Sequence, residues 1–190
     1  LKQLVLASHS HNSALGYLPW NGGPNQNYGN CNDMANYPGS WAYQSFPYFE
    51  QEPLFRSLTA AMGGPGPGVV STTQQIALKP LLCPGRGRLG IANNSGRLGP
   101  MTDYAINTWI NEPTSGARNT SNKKRQPQRI KDGASNTVYL GQKSMRPNMY
   151  DRADGSDWDE SVIWSGEGGS GRAQFGLAQD SDSVSYGDNW

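Results

Sequence analysis

Long apolar runs, a dominant charge, cysteine and histidine are all scarce in this 190-residue chain. No stretch approaches the ~18 consecutive apolar residues that a membrane-spanning helix requires, and Leu1 to Leu6 is too short for the apolar region of a signal peptide. A net charge of +1 supplies no field for an electrostatic partner, so neither nucleic acid nor an anionic membrane surface is implied. The only two histidines, His9 and His11, stand at i,i+2. On a helix such a pair points to different sides and cannot share one metal as an i,i+4 pair does. Without a third histidine, and without Ser or Cys in a nucleophile-elbow setting, a catalytic triad fails as well. The chain is therefore expected not to be an enzyme. The two cysteines, Cys31 and Cys83, form no C-x-x-C pair, which excludes thioredoxin chemistry and zinc ribbons. They read as one disulfide of an exported protein or as two buried thiols. A small core with long loops gains most from a staple, roughly 4 kcal/mol in the chain-entropy model, and this favours the Cys31–Cys83 bridge.

What the chain has in quantity is glycine (24), proline (13) and asparagine, together with six Trp and nine Tyr. Only 35% of residues are hydrophobic, yet the charged share is a low 16%, which argues against charge-driven disorder. These proportions describe one domain, 1–190, folded around a modest aromatic core and rich in loops. Leu1, Leu4, Val5 and Leu15 recur at helical spacing in "LKQLVLASHSHNSALGYLP", predicting an amphipathic helix that Gly16 and Pro19 stop. No capping residue precedes it, so the segment 1–16 is expected to be the remnant of a longer helix. The segments 17–40 and 111–131 read as long loops. "WAYQSFPYF" (41–49) alternates aromatics like an edge strand, and "EQEPLFRSLTAAM" carries Pro53 near the first turn of a short helix. Short strands are expected in "IALKPLLCP" (76–84), "DYAINTWI" (103–110), Val138–Leu140 after the Asp132-Gly133 turn, and "ESVIWSG" (160–166). One helix followed by short strands makes an α+β arrangement.

Three further strings carry potential chemistry. "GRGRLG" (85–90) and "GEGGSG" (166–171) match G-x-G-x-x-G, but no convincing helix follows either, so both read as loops. "YDRADGSDWDES" brings Asp154, Asp157 and Asp159 together. Such oxygen donors suit Ca²⁺, although the spacing is not that of an EF-hand, and a solvated acidic loop or a hydrolytic carboxylate pair are the competing readings. No other cofactor is implied. "RNTSNKKRQPQRIK" (118–131) reads as an exposed basic loop, with an acidic neighbouring subunit or an anionic polysaccharide as its alternative partners. The aromatics of "WNGGPNQNYGN" (20–30), taken as exposed, are candidates for stacking on sugars.

Five strings occur in a familiar order: "LKQLVLASHSHNSALGYLP", "WAYQSFPYFEQEPLF", "LLCPGR", "DYAINT" and "IKDGASNTVYLGQ". Together the chain resembles a large planctomycete family of unknown function whose members begin like type IV pilins and type II secretion pseudopilins. The most specific string is Asp132-Gly133-Ala134-Ser135-Asn136-Thr137. Where this chain has Gln142 the family often has Glu, and its C-terminal histidine-glycine strand is missing. The resemblance implies a pilin-like fold in which the helix packs its Leu1, Leu4, Val5 and Leu15 stripe on a small antiparallel sheet. It also implies a structural role in a surface or periplasmic fibre, with copies of itself or other pilin-like subunits as partners. Those partners, and any membrane, would be met through an apolar helix preceding Leu1. An extracellular carbohydrate- or solute-binding module is the alternative.

Overall fold

The computed structural model describes residues 1–21, 39–60, 76–94, 97–110, 124–150, 162, 170–172 and 179–182. Helix α1 (Lys2–Leu15) ends where Gly16 takes a left-handed conformation, φ 80°, that lets its N–H reach the Asn12 carbonyl at 2.8 Å. The buried face of α1 is Leu4, Ala7, Ser8 and His11, an i, i+3, i+4, i+7 series. The expected stripe is therefore corrected. Leu4 is buried and Val5 half-buried, but Leu1 and Leu15 are 51% and 52% exposed. Beyond Gly16, Leu18, Pro19 and Trp20 are buried.

The segment 41–49 is helical and not a strand. Helix α2 (Trp41–Ser45) continues as a 3₁₀ turn over Phe46–Tyr48. Ser40 caps α2 by accepting from the Tyr43 N–H at 3.3 Å, and its hydroxyl donates to the Val162 carbonyl. All five residues of α2 are buried, so no polar face marks the helical period, and its aromatics mimic strand alternation. Helix α3 (Glu52–Ala60) begins as expected, with Glu52 in its first turn paired to Arg56 one turn on. The neighbours of α1 include α2 and the 3₁₀ turns Phe46–Tyr48 and Lys79–Leu81. This arrangement is helix on helix, where a helix on a sheet was expected.

Strands β1 (Ile91–Asn94) and β2 (Arg97–Pro100) form an antiparallel hairpin. Strand β3 (Tyr104–Asn107) is the centre of a second sheet, between β4 (Leu140–Gln142) and β5 (Gly171–Arg172). The β3–β4 pairing is antiparallel, with Tyr104 opposite Gln142 and Ile106 opposite Leu140. The β3–β5 pairing is parallel, so this sheet is mixed and not purely antiparallel. Tyr104, Ala105 and Ile106 are all buried because both faces of β3 are covered. The strand expected at 76–84 is instead a 3₁₀ turn, Lys79–Leu81, with Pro80 near its start. The strand expected at 138–140 begins two residues later, although Tyr139 O already accepts the Asn107 N–H. The expected strand at 160–166 lies outside the described residues, Val162 excepted. One apolar core runs from Leu4 and Ala7 through Trp41, Tyr43, Phe46 and Leu58 to Leu81, Ile106 and Val162. The observed class is α+β, with helices and a small sheet sharing that core.

Candidate functional site

A seam of buried charge runs along one side of β3. The chain leaves the Lys79–Leu81 turn, passes a tight turn in which the Arg86 N–H reaches Cys83 O, and extends to Gly90. Arg86, which closes that turn, and Arg88, beyond the left-handed Gly87 (φ 60°), both turn inward and are buried, while Gly87 and Leu89 are exposed. Asp103, at the mouth of β3 with its side chain fully buried, meets them. Its Oδ1 accepts from Arg88 Nη1 at 2.6 Å and lies 3.3 Å from Arg86 Nη1, while Oδ2 accepts the Cys83 N–H at 2.6 Å. The Arg88 guanidinium also meets the thioether sulfurs of Met145 and Met101, at 3.2 and 3.6 Å.

Arg86 grips a second carboxylate, Asp180, through a two-pronged contact from Nε at 2.8 Å and Nη2 at 2.7 Å. The same Nη2 donates to Lys143 O at 2.5 Å, and the guanidinium lies over the Tyr150 ring, 5.7 Å from its centroid. Asp180 further accepts the Met145 N–H at 2.8 Å and the Tyr150 hydroxyl. Burial pushes the Asp180 carboxyl up, but hydrogen bonds from Arg86, Tyr150 and Met145 and the Arg86 charge outweigh it and hold the group below its usual range. The Arg86 guanidinium is lowered by burial and raised by Asp180 and Asp103, with a net upward shift. Two guanidinium groups thus face two carboxylates. Charges fixed in this way clamp segments together: residues 83–88, the start of β3, 143–150 and 179–182 meet on one lattice of donors. None of Arg86, Arg88, Asp103, Tyr150 or Asp180 stood out in the sequence. The available signal was the Arg-x-Arg spacing inside "GRGRLG", whose reading as a loop agrees with the structure.

A second constellation fastens the end of α1. His11 Nδ1 donates to Tyr17 O at 2.9 Å, and its ring stands edge-on to Tyr17 and Tyr48 with centroids 5.2 and 5.4 Å away. Burial lowers the imidazole pKa, and the bond to Tyr17 O only partly offsets this. Lys124 Nζ lies 4.7 Å from the Tyr17 ring centroid, Leu18 N–H donates to Arg125 O, and the Tyr139 hydroxyl donates to Pro19 O. Burial pushes that Tyr139 phenol up. His9 is exposed while His11 is 2% exposed, so the two do point apart. Trp20, expected as an exposed sugar-stacking residue, is 1% exposed, and its backbone is bonded on both sides to the Gln44 amide.

The string Asp132–Thr137 builds a turn. Gly133, at φ 85°, donates to Ile130 O. Asn136 Nδ2 donates to Asp132 O at 3.1 Å, and Thr137 Oγ1 donates to Gly133 O at 3.0 Å. Asp132, Ser135 and Asn136 remain exposed, and the turn delivers the chain to β4. Cys83 carries a free, half-buried thiol, and Cys31 lies outside the described residues. Asp154, Asp157 and Asp159 also lie outside them. Among the described residues, no group of three or more His, Cys, Asp or Glu could hold a metal ion, and no helix is long and apolar enough to cross a membrane.

The class defined by these features is a small α+β domain, with an N-terminal helix docked on an aromatic helical layer and a sheet sealed by buried ion pairs. Within it, the chain matches over residues 1–189 the family described as Protein of unknown function (DUF1559), and it belongs to that family. No curated protein and no solved structure matches the chain.

Proposed function

We propose that this chain is the globular part of an exported, pilin-like structural protein that assembles at a surface or in the periplasm through α1. The observation carrying this reading is the division of α1 into two sides. Leu4, Ala7, Ser8 and His11 are committed to the body, while Leu6, on the far side of the helix, is 56% exposed. A helix that buries one side in its own domain and offers Leu6 on the other is suited to packing against the same helix in a second copy. In pilin-like proteins an apolar segment ahead of this helix completes that packing. The chain's resemblance to a family whose members begin like type IV pilins supports the same reading.

The test uses the full-length protein in its native host. Sedimenting fibres or membrane-bound assemblies, seen by electron microscopy and lost in Leu6→Asp while the isolated 1–190 fragment keeps its melting temperature, are the expected result. A full-length protein that stays monomeric and outside the membrane fraction would sink the proposal. Saturable binding of a polysaccharide by the 1–190 fragment would favour the extracellular binding-module alternative.

A further inference from the structure

Asp180 makes an unusual set of contacts for a single aspartate. Its carboxylate takes two hydrogen bonds from Arg86, one from the Met145 N–H and one from the Tyr150 hydroxyl. Every one of those donors comes from a distant part of the chain, and the segments carrying them are held by contacts other than Asp180. Arg86 is fixed by Lys143 O and by the proximity of Asp103. The Met145 N–H follows β4, where Lys143 N–H is bonded to Asp103 O, and Tyr150 closes the 3₁₀ turn Pro147–Met149 through its N–H to Pro147 O. The Arg86 fork and the Met145 N–H are thus positioned by contacts other than Asp180. The pocket also has an outer side: the Arg86 side chain is 4% exposed, whereas that of Asp180 is 21% exposed.

We propose that Arg86, Met145 and Tyr150 form a carboxylate-binding site, filled within the chain by Asp180 and able to accept a carboxylate from outside when Asp180 is removed. The planar fork of Arg86 selects a carboxylate over a spherical anion, because two parallel N–H groups match two oxygens. The Met145 N–H and Tyr150 O–H supply further donors to the same pair of oxygens. Residues 179–182 are then a clasp closed by one side chain, and the outside carboxylate comes either from a small free acid or from Asp180 of a second copy. This inference does not depend on the pilin-like reading.

The experiment is chemical rescue. Asp180→Ala is expected to melt several degrees below the parent protein, with formate or acetate recovering most of the loss saturably and sodium chloride at equal ionic strength recovering none. In Arg86→Gln/Asp180→Ala the recovery should vanish. If Asp180→Ala does not fold, formate restoring its circular dichroism spectrum is the same positive result. The two sources are separated by mixing Asp180→Ala with Arg86→Gln. A heterodimer by light scattering assigns the outside carboxylate to a second copy, while monomers together with formate rescue assign it to small acids. Equal effects of chloride and formate, or no rescue by formate or acetate, would overturn the proposal.

Discussion

The helical layer and the charged seam hold the same domain together by opposite means. Around α2, Trp41, Tyr43, Phe46 and Phe49 bury large rings, with the Tyr43–Phe46 and Phe46–Phe49 pairs edge to face at centroid distances of 5.5 and 5.6 Å. Their polar groups are few and directed: Trp41 Nε1 donates to Ser170 O, and the Gln44 amide holds Trp20 and Gly39. Beside β3, Arg86, Arg88, Asp103 and Asp180 bury charge and depend on mutual compensation. The first region is stabilised in proportion to area removed from water. The second is near neutral while complete and costly when one member is lost, because a buried charge is then left uncompensated. Cavities threaten one region and unmatched charges the other.

The comparison breaks most visibly with one truncation on each side. Phe46→Ala is expected to cost about 3–5 kcal/mol through lost transfer energy and a cavity. Asp103→Ala is expected to cost about 3–5 kcal/mol by stranding the buried guanidinium groups. Urea denaturation of both variants, repeated with Arg88→Met/Asp103→Leu, distinguishes the causes: the paired apolar replacement should recover most of the Asp103→Ala loss. A pair that is no better than Asp103→Ala would mean that the seam does not act through charge compensation.

Gly171 gives the next largest effect. A Cβ there would collide with the Asn21 amide and approach Thr108 Cγ2 to 2.8 Å. Gly171→Ala should therefore destabilise the parallel β3–β5 junction by about 1–3 kcal/mol in the same assay. Ser40→Ala removes the α2 cap and is expected to cost roughly 1 kcal/mol.

Acidification should separate the two regions without mutation. His11 has a lowered folded pKa relative to 6.5, so its contribution is complete above about that pH and declines as the unfolded chain takes up its proton first. Asp180 has a lowered folded pKa relative to 3.8, so its contribution persists to about pH 4 and is lost as pH falls through the folded value. Melting temperature against pH should show the upper decline disappear in His11→Gln and the lower one shrink in Asp180→Asn. The smallest effect belongs to Arg56→Ala on the exposed side of α3, worth only about 0.2–0.5 kcal/mol and weaker still in high salt.

Local chemistry made the ends of α1 and α3 legible in the sequence. Gly16 can take a left-handed conformation without penalty, and Glu-Pro at 52–53 suits a first helical turn, so both features act within a few residues. The Asp132–Thr137 string was legible for the same reason, since its side chains bond to the backbone of their own turn. The helical state of 41–45 was not legible, because a helix buried on every side carries no polar period to read. The choice between Leu15 and Ala7 as a core contact was also hidden, because it depends on which part of α1 the 41–58 helices cover.

By itself, then, the sequence determined the α+β class, a strand within 103–110 (of which 108–110 instead forms a 3₁₀ turn), the helix stop at Gly16 and the loop character of "GRGRLG". Only the tertiary structure decided that two arginines of that loop meet Asp103 and Asp180. Arg86 and Asp180 lie 94 positions apart. A charge pair carries no signature in either local segment. It becomes stable only when burial excludes water from both partners and the surrounding donors are already in place, and folding of the whole domain is what supplies those conditions.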